Sequence, residues 1–264
     1  MALQAPSGFD AAQLRDAIRN TYERVAREPH GAFHFHRGRD YAVERLGYDA
    51  AALDSLPREA VDRFAGVGNP LAIGPLEPGE VVLDHACGAG VDLMLAARRI
   101  GPSGRALGVD LTPGMRAVAE RALVEAGLGE LAEIRAGNYE ELPVASDSID
   151  VVLSNGVVNL APDKRRVFGE IWRVLRPGGR LYLADVVVAR ELKLEVREQP
   201  ELWAACIAGA LPESELPQLL GELGFEGATL QRRFDCFAGA TAEGKVSRDL
   251  RVQAVNAFAR KPAT

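Results

Sequence analysis

Asp84-His85-Ala86-Cys87-Gly88-Ala89-Gly90 follows a short apolar run, Glu80-Val81-Val82-Leu83, and precedes a helical stretch that opens at Val91. Gly88 and Gly90 leave room for a ligand to approach the backbone. Asp84 ends the run, where its carboxylate can orient the turn and reach a cationic amine. Asp110 ends the next apolar run, 20 residues after Gly90. A carboxylate there can accept hydrogen bonds from both hydroxyls of a ribose. A dinucleotide fingerprint would require a third glycine at position 93, which is Leu93. Asp92 at the helix entrance would also repel a pyrophosphate. The loop therefore suits a cofactor with a ribose, a cationic amine and no phosphate.

The histidines form a second group. His30, His34 and His36 lie in His30-Gly31-Ala32-Phe33-His34-Phe35-His36, and the fourth, His85, sits in the glycine loop. In an extended segment His34 and His36 point one way and Phe33 and Phe35 the other. Three readings compete. The segment is a lid whose phenylalanines cover a cleft, or His34 and His36 recognise an acceptor and act as general base, or they bind a metal together with Cys206. No paired ligand motif supports the last, so no metal site is assigned.

The order of elements positions these groups. Apolar residues at helical spacing (Leu14, Ile18, Tyr22, Val25) predict a helix over Ala11–Arg27, with short helices at Arg39–Leu46 and Pro57–Phe64. Strands are expected near 80–84, 106–110, 132–136, 149–154, 180–188, 228–236 and 251–259, with helices at 91–100, 112–127, 163–175 and 212–223 and a helical insert over about 190–210. Strands alternating with crossover helices imply an α/β fold: a doubly wound, seven-stranded, mostly parallel sheet. Residues 1–75 read as an N-terminal helical lid or cap, and residues 76–264 as the catalytic domain carrying the 190–210 insert as a second lid. Ligands on such sheets bind at the C-terminal strand ends beside the switch point, which here carry Asp84, Asp110 and Asn155.

Composition excludes several classes. The 264 residues have a net charge of -6 and a pI of about 5.4, so nucleic acid is not an expected partner. No run of about 18 apolar residues occurs, so no membrane span is expected. Three cysteines (Cys87, Cys206, Cys236) and no leader-like N-terminus point to free thiols in the cytoplasm. Composition and patterning specify no oligomeric state.

S-adenosyl-L-methionine is a cofactor with the deduced properties, and the loop resembles motif I of class I methyltransferases. Gly137-Asn138-Tyr139-Glu140 resembles the family's loop after the third strand. Asp147-Ser148-Ile149-Asp150-Val151-Val152 resembles the start of its fourth strand, and Val174-Leu175-Arg176-Pro177-Gly178-Gly179 its V-L-K-P-G-G turn. Within that family the arsenite methyltransferases are most similar. Ser154-Asn155-Gly156-Val157-Val158-Asn159-Leu160-Ala161-Pro162-Asp163-Lys164 resembles their S-N-C-V-I-N-L-S-P-D-K, Gly108-Val109-Asp110-Leu111-Thr112-Pro113-Gly114-Met115 their G-V-D-M-T-P-E-M, and Cys206-Ile207-Ala208-Gly209-Ala210-Leu211 their C-I-A-G-A-L. The resemblance implies that Tyr22, Asp84, Gly88, Gly90, Asp110, Leu111, Met115, Asn138, Tyr139 and Asn155 hold S-adenosyl-L-methionine, with Tyr22 folding over it and Asn138 capping the adenine amine.

The departures bear on the acceptor. Trivalent arsenic is thiophilic and wants converging thiolates. Val67 stands for the family's cysteine in Gly66-Val67-Gly68-Asn69-Pro70, Gly156 for that in S-N-C, and no N-terminal cysteine exists. Cys206 alone survives. The sequence is thus expected to encode a methyltransferase for a small-molecule acceptor other than arsenite, with His34, His36 and Asn155 as catalytic candidates and His34, His36, Gly156, Trp203 and Cys206 lining the acceptor. The alternatives are arsenite methylation itself, C- or O-methylation of a quinone or polyketide-like product, a catalytically silent cofactor binder, and a nicotinamide-dependent oxidoreductase, which Leu93 and Asp92 disfavour.

Overall fold

The computed structural model describes residues 5–6, 10–199, 202–203, 206–239 and 251–264. The strands are β1 Val81–His85, β2 Arg105–Asp110, β3 Ala132–Ala136, β4 Ile149–Asn155, β5 Leu175–Val188, β6 Leu211–Pro212, β7 Glu226–Phe234 and β8 Gln253–Arg260. Seven of them run in the order β3-β2-β1-β4-β5-β8-β7, and the two-residue β6 pairs with the end of β5. Strands β1 to β5 are parallel, whereas β8 runs antiparallel between β5 and β7. The doubly wound sheet is as expected, with β6 added: Val187 and Val188 extend β5 far enough to pair with Leu211 and Pro212.

Continuous apolar runs become central strands because helices cover both faces. The long helices are α1 Ala11–Arg27, α5 Val91–Ile100, α6 Pro113–Glu125, α7 Lys164–Val174 and α9 Glu215–Glu222. Helices α5 and α6 bury Met94, Ile100 and Val118 against one face, and α7 and α9 bury Phe168, Ile171 and Leu219 against the other. A third cluster lies over the C-terminal strand ends and joins Leu14 and Ile18 of α1 to Leu160, Trp203, Cys206 and Cys236.

The N-terminal segment has the expected α1, capped by Asp10, whose side chain accepts from the Ala12 and Gln13 amides. Short helices follow: α2 Gly38–Tyr41, running into a π-helical turn Ala42–Leu46, then α3 Ala50–Asp54 and α4 Arg58–Val61. Val25, Leu46, Leu53 and Phe64 share one core with Met94 and Val118, so this segment packs as part of the main body. The insert differs from expectation. Among the described residues its helix is limited to α8 Leu194–Arg197 and residues 202–203. Cys206 adopts a left-handed backbone (φ 61), and a Cβ on Gly209 would lie 1.9 Å from the Asn159 carbonyl oxygen. A helix cannot continue through that turn.

Candidate functional site

The C-terminal ends of β1, β2 and β4 open into one cavity, whose space is about 880 Å³ including its mouth. Asp84, Ala86, Gly88, Asp110, Leu111, Met115, Tyr139, Asn155 and Gly156 line it together with Tyr22 of α1. Sequence positions up to 134 residues apart thus meet because the strand order reverses between β1 and β4.

The turn after β1 is held by its neighbours. Gly88 (φ 53) and Gly90 (φ 82) take left-handed conformations, and Gly90 opens α5. A Cβ on Gly90 would press on the Ala119 Cβ at 3.1 Å, so the glycine also permits α5 to pack on α6. Asp110 accepts from the Gly88 amide at 2.9 Å and from the Thr112 amide at 2.7 Å. It therefore closes the turn and starts α6, whose N-cap residue Thr112 forms no side-chain cap bond. Cys87 points away from the cavity's centre, toward β2: a Cβ on Gly108 would sit 2.7 Å from its Sγ.

Three buried carboxylates face this space. Burial raises the Asp84 carboxyl well above its ordinary range, and Asp92 and Asp110 push it further, against a hydrogen bond from the Leu93 backbone. Burial also raises Asp92, opposed by Asn155 and Tyr48, and Asp110, opposed by the Thr112 and Gly88 amides. Asp84 Oδ2 is buried with no hydrogen-bond partner among the described residues, as is the Tyr139 hydroxyl. Unbalanced negative charge with an unpartnered carboxylate oxygen is an arrangement that a cationic ligand relieves. The residues thus fit S-adenosylmethionine, whose ammonium Asp84 would take and whose ribose Asp110 would hold, with Leu111 and Met115 offering apolar surface to its adenine.

Asn155 has a job that sequence reasoning did not foresee. Its Oδ1 accepts from the Val67 and Gly68 amides at 2.8 and 3.1 Å, and its Nδ2 donates toward the Gly68 carbonyl, Asp92 Oδ2 and the Tyr48 hydroxyl. The amide is fully used in fastening the 66–68 loop to the start of α5. The catalytic role expected of it has no free proton or lone pair to draw on. Tyr48 donates to Asp92 at 2.7 Å and completes the knot. An isolated Tyr-Asp-Asn trio spread over 107 residues leaves no pattern in sequence.

Other expected residues fall elsewhere. His36 Nε2 donates to the Ala238 carbonyl at 2.9 Å, and the ring stacks on Tyr41; with His30 it lines a separate, open cleft. His34 sits edge-on to Phe35, which stacks on Tyr22. The structure does not bring either histidine to the lining of the main cavity. Asn138 is occupied by the Glu140 amide, at 3.0 Å, while its neighbours Gly137 and Tyr139 line the cavity. Trp203 and Cys206 are buried beside it in the third cluster rather than on its lining. The Trp203 ring covers Lys164 Nζ, which also donates to the Asn159 and Ala161 carbonyls and whose pKa burial lowers to about 7. Among the described residues, no group of three or more His, Cys, Asp or Glu side chains is placed to hold a metal ion. Sequence inspection missed Ile18, Arg63, Phe64, Val157 and Leu160, all on the lining.

Residues 76–231 match the family described as Methyltransferase domain. The chain belongs to the S-adenosylmethionine-dependent methyltransferase family. It is 43% identical to the arsenite methyltransferase of Halobacterium salinarum over 83% of this chain and 56% of that protein. It is 34% identical to human arsenite methyltransferase over 66% of this chain and 48% of that one. The crystal structure of an arsenic(III) S-adenosylmethionine methyltransferase from Chlamydomonas reinhardtii superposes with a TM-score of 0.69 at 33% identity, covering 80% of this chain and 72% of that one. The methyltransferase chain therefore spans about half the length of the curated relatives it matches.

Proposed function

We propose that this protein transfers the methyl group of S-adenosylmethionine to a small, largely apolar acceptor other than inorganic arsenite. The observation that carries the reading is the mixed lining of one cavity: the carboxylates Asp84, Asp92 and Asp110 together with Ile18, Phe64, Gly66, Gly156, Val157 and Leu160. The cofactor, when bound, supplies a methyl carbon already activated by its sulfonium. The chain's own part is to hold the acceptor in line and exclude water, which such positioning can turn into roughly 7–11 kcal/mol of barrier lowering. Tyr22, Phe35 and Phe64 of the N-terminal segment supply that cover.

The positions where arsenite methyltransferases carry two of their thiols are neighbours here. A Cβ on Gly156 would touch the Val67 side chain at 3.2 Å, and Val67 shares a buried cluster with Cys206. Of these three positions two bear hydrocarbon or hydrogen, and only Cys206 bears a thiol. The surviving Cys206 thiol is pushed up to about 12 by burial and then by Asp185, so it stays protonated and a poor ligand for a soft ion. The three cysteines are free and buried, which supports a cytoplasmic location. Among the described residues no helix is long and apolar enough to cross a membrane.

Transfer of a labelled methyl group tests the reading. With S-adenosylmethionine and a panel of apolar thiols, phenols and quinols, at least one acceptor is expected to be methylated far faster than arsenite. Rapid, saturable methylation of arsenite by the unmodified chain would overturn it.

A further inference from the structure

The amino-acid end of S-adenosylmethionine carries a carboxylate as well as an ammonium. The cavity's acids account for the ammonium, and its carboxylate needs a cation. Among the described residues one cationic side chain lines the cavity: Arg63, two residues past the end of α4. Its Nε donates to the Ala26 carbonyl at 2.7 Å and its Nη1 to the Glu59 carbonyl at 2.8 Å. Two backbone carbonyls therefore fix the guanidinium in place without neutralising it. Elsewhere on the surface the arginines Arg39, Arg121, Arg165, Arg233 and Arg260 each pair with a carboxylate. Arg63 pairs with none among the described residues, and its Nη2 is the edge left over. A preoriented, unneutralised guanidinium on the wall of a ligand cavity is built to take a planar anion.

We propose that Arg63 seats the carboxylate of the cofactor's amino-acid end, with Asp84 of the same cavity taking the ammonium on the same carbon. The inference rests on the reading that this cavity holds S-adenosylmethionine. It assigns cofactor recognition to a residue outside the 76–231 segment that defines the family match. It also makes the N-terminal segment part of the cofactor site: Arg63 bears on the last turn of α1 through Ala26, and α1 carries Tyr22. Neutralisation by the cofactor's carboxylate would then couple cofactor binding to seating of α1 over the acceptor end.

The test compares S-adenosylmethionine with its decarboxylated analogue, which keeps the sulfonium and ammonium and lacks only the carboxylate. Calorimetric titration of the whole chain, without acceptor, reads both affinities. Wild type is expected to favour the carboxylated form by about 10- to 100-fold, the size of a charge-assisted hydrogen bond or two. In Arg63→Met the two ligands are expected to bind alike, whereas Arg63→Lys keeps part of the preference. Arg63→Gln, which can still donate to the Ala26 carbonyl, covers the case in which the methionine variant does not fold; it too is expected to lose the preference. Variants that weaken both ligands equally, with the wild-type ratio intact, would overturn the proposal while leaving the cofactor reading in place. A wild-type chain that binds neither ligand would remove the cofactor reading and this inference with it.

Discussion

The charged and the apolar parts of the cavity lining are built by opposite means. At the cofactor end the chain buries charge: Asp84, Asp92 and Asp110 are each at most 7% exposed, and hydrogen bonds from the Gly88, Thr112 and Leu93 backbone partly offset the cost. In its apolar part it buries hydrocarbon, and the Cys206 thiol in the cluster beside it is held protonated. The first end is specific because its electrostatics are incomplete without a cation. The second is permissive, since apolar surface discriminates by shape and size rather than by charge. Relatives of this fold can thus keep one end and change the other by a few side chains. On the proposed reading, Val67 and Gly156 are where this chain would have made that change.

The largest expected effect lies at the charged end. Asp84→Asn removes the unpartnered carboxylate oxygen and should weaken S-adenosylmethionine binding by about 100-fold or more. The same carboxyl has a raised pKa, so its ionised, ligand-binding form is lost as pH falls through that raised value. Affinity in wild type should therefore drop on acidification at higher pH than an ordinary aspartate would give. A variant with undiminished affinity would show that the charged end is not the cofactor end.

Next comes the knot between the ends. Asn155→Ala strands Asp92 and the Val67 and Gly68 amides, and should cost about 2–3 kcal/mol in urea unfolding. A loss below about 0.5 kcal/mol would mean that the loop holds its place without the amide. The acceptor end can be probed by gain rather than loss. The double variant Val67→Cys/Gly156→Cys places thiols at both vacated positions and should bind arsenite about tenfold more tightly than wild type. The left-handed backbone at Gly156 (φ 76) will cost this variant about 1–2 kcal/mol of stability. No gain in arsenite affinity would separate these positions from any acceptor role.

The smallest effect concerns His85, which links the ends from beneath. It is fully buried between Ser154 Oγ and the Tyr139 carbonyl, and burial lowers its pKa from 6.5 to about 4. The folded state thus binds this proton less readily than the unfolded state. The stability that neutral His85 supports is complete above pH 6.5 and declines as pH falls from there toward 4. Between pH 6.5 and 5.5 that decline should be about 1 kcal/mol, and His85→Gln should flatten it. An equally steep decline in the glutamine variant would assign it to other groups.

Legibility followed the same division. The strand ends bearing Asp84 and Asp110 could be read because each closes an apolar run beside a glycine turn, a local pattern. Helices α1 and α5 were expected at their observed bounds for local reasons as well: α1 has a stripe of apolar residues at helical spacing, and α5 is an apolar run with a glycine at each end. The acceptor end was less legible. Its lining comes from single residues of α1, the 63–66 loop and the 156–160 turn, whose meeting depends on tertiary packing. Asn155 looked catalytic because it ends a strand at the switch point. Its five hydrogen-bond contacts reach residues 63 to 107 positions away, which no local window contains. His34 and His36 drew attention by their density, yet His36 is anchored at Ala238, 202 residues on. The 190–210 insert read as helical from composition, but the left-handed Cys206 and the close contact at Gly209 break it.

The most direct test of the central claim is calorimetric titration of S-adenosylmethionine and of its demethylated product into wild type and Asp110→Ala. The account predicts one site per chain in wild type and an affinity at least tenfold weaker in the variant, which loses both the ribose acceptor and the closure of the glycine turn. Absence of binding by wild type, or equal binding by the variant, would contradict it.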